Sequence, residues 1–265
     1  GWEAARALDR ARERIAALIG ADARQIVLTS GATEANNLAI LGRARAALRA
    51  GASRPHLVTC RTEHRAVLDP AEALESEGCA VTRLEVDSQG RLEPSDLARA
   101  LEPGTVLVSL MHANNEIGVV HDIAALSAIA REHGVTFHTD AAQSVGKIAV
   151  DVRELGVDLL SFTAHKLYGP KGIGALFVRR GVKLAPLVYG GGHERGLRSG
   201  TVPVALAVGF GEACEIAGRV REMEAARLAA LRDRLFEALS SALDGVHRNG
   251  AAEPRLPGNL NLSFD

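Results

Sequence analysis

Apolar residues recur at helical spacing near the start of the chain. Leu8, Ala11, Ile15, Leu18 and Ile19 share one face, which predicts a helix over residues 3–19. The pattern then changes to short Val/Ile/Leu runs divided by longer mixed stretches. The runs predict strands at 25–29, 56–60, 80–86, 105–110, 135–140, 158–163 and 175–179. Helices fill most of the gaps. One is expected over 122–133, with Asp122 as its cap, and Pro94-Ser95-Asp96 reads as another helix start.

Short strands alternating with helices predict an α/β fold, a mostly parallel sheet with helices on both faces. The last two of the seven strands stand apart. Roughly ten turn-like residues separate them, too few for a helical crossover, so 175–179 is expected to run antiparallel. Position 203 onward reads as helix, and 219–243 as a long, charged amphipathic one. The final run, "GNLNLSFD" at 258–265, alternates like a half-buried strand without an obvious partner. It is expected to open a second domain. The predicted organisation is therefore a large domain over 1–245 and the start of a smaller one over 246–265.

Composition narrows the function classes. The chain has 265 residues, 47% hydrophobic, enough to bury a sizeable core. Its 31 basic and 32 acidic residues leave a net charge of −1, so no basic field points to nucleic acid or an acidic membrane. No apolar run approaches the ~20 residues of a membrane span, and nothing resembles a signal peptide. Cys60, Cys79 and Cys214 are odd in number and scattered, which fits a reducing, cytoplasmic setting. Lysines are scarce: Lys147, Lys166, Lys171 and Lys183.

In open α/β sheets, ligands bind beyond the carboxyl ends of the strands. Five predicted strand ends carry polar clusters: Gly31-Ala32-Thr33-Glu34, Arg61-Thr62-Glu63-His64, Met111 to Glu116, His138 to Gln143, and Thr163-Ala164-His165-Lys166. Taken singly, each has an ordinary reading. Gly31-Ala32-Thr33 is first a helix cap, His64 a packed or surface histidine, Asn114-Asn115 a turn, and Lys166 a solvated rim lysine. Together they supply what pyridoxal phosphate requires. Amides at a helix start suit a phosphate. A lysine forms the Schiff base with the aldehyde, and burial favours its nucleophilic form. A carboxylate keeps the pyridine nitrogen protonated, and an imidazole stacks on the ring and moves protons.

Competing motifs are absent or incomplete. There is no G-x-G-x-x-G after a strand, no Walker A pattern, no H-E-x-x-H and no C-x-x-C. Ser144-Val145-Gly146-Lys147 matches S-x-x-K without its companion motifs. Gly190 to Gly196 lacks a dinucleotide-binding context and reads as a flexible surface loop.

"TSGATEANNLAI", "TEHRAVLD", "MHANNEIGVV", "FHTDAAQSVGK", "HKLYGPKGIGAL" and "GGGHERGLRSGT" follow one another along the chain. These stretches resemble, in order and over the whole length, the motifs of cysteine desulfurases. Those are NifS/IscS-like members of the class V aminotransferase superfamily. The resemblance implies the large domain of a pyridoxal-phosphate-dependent transferase of fold type I. It implies that L-cysteine is converted to alanine while sulfur passes to an enzyme cysteine as a persulfide. By the same resemblance, Lys166 would bind pyridoxal 5'-phosphate, Asp140 would face the pyridinium nitrogen, and His64 would stack over the ring. Gln143 and Asn115 would contact the ring hydroxyl. Ala32, Thr33, Thr163 and His165 would hold the phosphate, with Thr163 where many relatives carry serine. Thr201 would reach the phosphate of a partner subunit, implying a homodimer with shared sites.

Relatives also carry an N-terminal segment and a small C-terminal domain, whose mobile loop holds the persulfide-forming cysteine. Cys60, Cys79 and Cys214 do not match that position and read as small buried hydrophobes. The fragment is therefore expected to be incomplete in sulfur transfer. An iron–sulfur scaffold or another sulfur acceptor would receive the product of the whole enzyme, for cluster assembly or tRNA thiolation. Selenocysteine lyase or another class V aminotransferase is the alternative. A degenerate, non-enzymatic binding domain is a further rival, against which the intact Lys166, Asp140 and His64 stand.

Overall fold

The computed structural model describes residues 1–265. A helix, α1 (Trp2–Leu18), leads into strand β1 (Ile26–Thr29) and helix α2 (Ala32–Arg49). Then come β2 (His56–Cys60), α3 (Arg65–Ser76), β3 (Ala80–Leu84), α4 (Pro94–Ala100), β4 (Thr105–Ser109) and α5 (Ile123–Glu132). Strands β5 (Thr136–Asp140), β6 (Leu159–Thr163) and β7 (Gly174–Val178) complete the main sheet before the long helix α6 (Val204–Ala242). The start signals work locally as the sequence predicts. Asp122 accepts a hydrogen bond from the Ala125 amide at 3.0 Å, and Pro94 occupies the first turn of α4.

The sheet has seven strands in the order β1-β7-β6-β5-β4-β2-β3. Pairs within β3-β2-β4-β5-β6 are parallel, whereas β7 runs antiparallel to both β6 and β1. The short connection after β6 thus reverses the chain, as expected. Because β7 separates β1 from β6, the carboxyl ends of β1, β2, β4, β5 and β6 lie on one rim. Side chains alternate across the sheet. Phe137, Leu160, Phe162 and Phe177 face a core built with α1, α4, α5 and α6. Leu57, Leu107, Leu159 and Leu176 face α2 and α3.

Two features depart from the sequence reading. The stretch from 204 is one continuous helix of 39 residues. Its glycines serve packing: a Cβ on Gly211 would lie 2.9 Å from the Ala11 Cα, so glycine lets α1 and α6 touch. The terminal strand has a partner. Strand β9 (Leu262–Phe264) pairs antiparallel with β8 (Val246–Arg248) in a separate two-stranded sheet. The segment between them is tied back to the main body, with the Ala251 amide on Gln89 O at 2.8 Å and the Leu256 amide on Gly118 O at 2.8 Å. Arg255 is buried there and donates to Ala251 O and Asn259 Oδ1. No helix is long and apolar enough to cross a membrane.

Candidate active site

Along the common rim lies a cavity of about 550 Å³. Ala32, Thr33, His64, Asn115, Asp140, Gln143, Thr163, His165 and Lys166 all line it. Strands β1, β2, β4, β5 and β6 each deliver part of this set from their carboxyl ends. Thr201 is exposed and does not line the cavity.

At the β1 end, α2 begins at Gly31, and no side chain caps it. The capping role open to Gly31-Ala32-Thr33 is therefore not taken by Thr33. The first-turn amides are left without a side-chain partner beside the cavity, the arrangement that attracts an anion. Gly31 and Gly174 press together at this corner; a Cβ on Gly174 would sit 2.7 Å from the Gly31 backbone. Thr163 Oγ1 lies 3.0 Å from His165 Nδ1 and donates within 3.2 Å of Ile173 O, placing a hydroxyl and an imidazole side by side. Burial, then Lys166 and Lys171, lower the His165 pKa.

Asp140 ends β5 in the middle of the sheet and is only 8% exposed. Burial pushes its pKa up, while the Ala142 amide, Asn36 and the nearby His64 oppose the rise. Asn36 Nδ2 donates to Asp140 Oδ2 at 2.6 Å, and the Ala142 amide donates to Oδ1 at 2.9 Å. A buried carboxylate held this way favours a cationic donor opposite it. His64 caps α3: its Nδ1 accepts the Ala66 amide at 3.0 Å, so the neutral ring carries its proton on Nε2. Lys166 follows β6 on a short 3₁₀ turn, Ala164–Leu167. It is exposed at the cavity mouth, so the burial that the sequence reading invoked for its reactivity is not present.

Sequence reasoning missed Asn36, which fixes Asp140, and Glu63, a buried neighbour of His64. Asn36 lies three residues after Thr33 on α2, and that i,i+3 spacing was the available signal. Lys171 and Ser30 also line the cavity. The glycine-rich loop is anchored rather than free. Glu194 is buried, pairs with Arg12, and accepts the Leu28 amide at 2.7 Å. Arg198 reaches Glu34 in the first turn of α2 at 2.8 Å.

This arrangement offers an amine, a buried carboxylate, an imidazole and a corner of uncapped amides around one space. The aminotransferase class-V family model matches residues 1–265. The chain belongs to the aminotransferase class-V family. Relatives in this family include the cysteine desulfurase IscS of Anaeromyxobacter dehalogenans strain 2CP-C, 56% identical over 266 residues. The cysteine desulfurase IscS of Tolumonas auensis is 53% identical over 266 residues. Both alignments take in 100% of this chain but 65% of the relative, so the chain spans about two thirds of their length. Among solved structures, a NifS-like protein superposes with TM-score 0.94 at 36% identity, covering 100% of this chain and 72% of that one. DndA from Streptomyces lividans gives 0.93 at 40% identity, with 100% and 74% covered. The class-V fold seen here is thus the one these proteins share.

Proposed function

We propose that this chain is the cofactor-binding part of a pyridoxal-phosphate-dependent cysteine desulfurase. The observation that carries the reading is the meeting of Asp140, Lys166 and the uncapped start of α2 in one cavity. The residues present fit the cofactor. The free α2 amides with Thr33, Thr163 and His165 suit its phosphate, and Asp140, held by Asn36, suits its protonated ring nitrogen. Lys166 is the amine that would hold it covalently, with His64 against the ring and Gln143 and Asn115 toward its hydroxyl. When bound, pyridoxal phosphate supplies an electron sink for negative charge at the substrate's Cα.

The chain's own groups divide the remaining work. The Lys166 amine and the His64 Nε2 are the proton carriers beside that carbon. Asp140 holds charge and orientation at the far side. Sulfur transfer needs a thiolate, and none of the three cysteines lines the cavity. All three are buried and free, and burial raises the pKa of each. We assign the sulfur-accepting cysteine to a segment outside 1–265. In this reading residues 1–245 form the cofactor-binding unit and 246–265 open a smaller one, a division supported by the separate β8–β9 sheet. A homodimer in which exposed Thr201 completes a partner's phosphate site, sulfur-acceptor partners such as an iron–sulfur scaffold, and a cytoplasmic setting suited to free thiols belong to the same proposal.

Adding pyridoxal phosphate to the chain is expected to produce a visible absorbance band that Lys166→Ala abolishes. A wild-type chain that shows no such band at saturating cofactor overturns the reading. For the longer protein, alanine release from L-cysteine is the expected activity; release from selenocysteine alone would reassign the substrate.

A further inference from the structure

Behind Gln143 lies a lysine that the reading above does not use. Lys147 Nζ donates to Gln143 Oε1 at 2.8 Å, and this is the one hydrogen bond the Gln143 side chain makes within the chain. An ammonium has three donors and no acceptor. The atom of Gln143 that faces Lys147 is therefore the oxygen. Its NH₂ is left for the cavity, which Gln143 lines together with Asn115, Asp140 and Lys166.

The backbone holds Lys147 in that place. The amides of Lys147 and Ile148 both bond Ser144 O at 3.0 Å, winding 144–148 into a tight turn. At its apex Gly146 has φ 78°, and a Cβ there would lie 2.0 Å from Leu167 Cδ2. Only glycine lets the turn press against the helical turn that carries Lys166. Lys147 is half-buried on the wall of an adjoining cavity of about 700 Å³, which shares Asn115, Gln143 and Lys166 with the first. Burial, then the neighbouring Lys166, lower its pKa, as proximity of the two cations requires.

We propose that Lys147 is a positioning residue that fixes the Gln143 amide so that the site presents a donor, selecting a ligand with an acceptor oxygen at that point. The inference rests on the pyridoxal phosphate reading and deepens it. Without Lys147 the amide flips freely, and half of its orientations present an oxygen to an oxygen.

The test titrates the chain with pyridoxal phosphate and follows the visible band in wild type, Lys147→Met, Lys147→Arg, Gln143→Ala and the Lys147→Met/Gln143→Ala pair. Melting curves establish that each variant is folded. Lys147→Met is expected to weaken Kd roughly 3- to 10-fold, the scale of one hydrogen bond, and Lys147→Arg to restore it. In the Gln143→Ala background, Lys147→Met is expected to change Kd less than about twofold, because its effect passes through Gln143. In the cofactor-free chain, the Gln143 side-chain amide resonance moves in Lys147→Met and not in Lys147→Arg. An unchanged Kd in Lys147→Met, or an equal loss in both backgrounds, overturns the proposal. Gln143→Glu tests it without touching Lys147: it keeps an oxygen toward the ammonium and removes the donor, so unchanged binding also overturns it. A wild-type chain without a band defeats the cofactor reading itself, which separates the two failures.

Discussion

Glu63 sits one residue before His64 and shares none of its exposure: it is 6% accessible, whereas His64 is open to the cavity. Its Oε1 accepts the Met111 amide at 2.6 Å, and its Oε2 has no partner. Burial, opposed by the Met111 bond and reinforced by Asp140, raises its pKa well above the ordinary glutamate value. The sign follows from linkage. Above the unfolded pKa of about 4.5, the unfolded chain releases this proton readily and the folded chain does not, so the group costs stability as pH rises. Glu63→Gln keeps the acceptor for Met111 and has no proton to lose. It is expected to match wild type in urea unfolding near pH 4.5 and exceed it at pH 8. Glu63→Ala strands the Met111 amide and is expected to lose about 1–3 kcal/mol. Equal losses in the two variants at pH 8 would sink this account. The residue scale also shows what a sequence can reveal of a site. Lys166, Asp140 and His64 were legible as neighbours because each lies at, or a few residues beyond, the carboxyl end of a strand on a common rim. Asn36, Glu63 and Lys147 were not, because their roles depend on partners from other elements or on the orientation of an amide.

At the scale of elements, the start of α2 depends on what lies beneath it. Gly174 opens β7 between Thr29 and Thr163 in register, and its missing side chain lets the Gly31 backbone close over it. Gly174→Ala would place a Cβ 2.7 Å from Gly31 and 2.8 Å from Phe162 O, contacts that backbone atoms cannot yield cheaply. Overpacking of this kind costs about 1–3 kcal/mol. The expected outcome is a lowered melting temperature together with weaker pyridoxal phosphate binding, since the displaced amides are those proposed to hold the phosphate. A drop in melting temperature with unchanged cofactor affinity would show that α2 does not start where the anion binds. The seven strands of the main sheet were readable to within a residue or two because each is a short run built around Val, Ile, Leu or Phe and bounded by turn residues. The antiparallel β7 was readable from the length of its connection. The pairing of β9 was not, because its partner β8, Val246-His247-Arg248, is three residues long and largely polar. The unity of α6 was hidden by glycines that pack against Pro170 and against α1, contacts no local pattern records.

The whole molecule encloses four buried imidazoles, His56, His112, His121 and His138, and burial lowers the pKa of each, which contributes to its response to acid. His138 lies within the sheet between Ser109 Oγ at 2.8 Å and Ser161 Oγ at 2.9 Å, tying β4, β5 and β6 through side chains. Burial lowers its pKa to about 3. Burial lowers His112 to about 4 with His121 adding to the shift, and lowers His121 to about 4 against the pull of Asp87. Below the ordinary value of 6.5 the unfolded chain takes up protons that these folded imidazoles refuse. Stability is therefore lost as pH falls through about 6.5 toward 4. Glu63 and Asp140, with raised pKa values, act in the opposite sense over part of that range, but two carboxyls oppose four imidazoles. The unfolded chain remains the net proton binder, and each net proton is worth roughly 1.4 kcal/mol per pH unit. Urea midpoints measured at pH 7, 6 and 5 are expected to fall in that order. His138→Gln retains groups that can meet both serine hydroxyls and removes the titration, so it is expected to flatten the slope by about one proton's worth. A midpoint that holds steady or rises from pH 7 to pH 5 would mean that these imidazoles accept protons while folded, and that the polar layer beneath Asp140 is open to water.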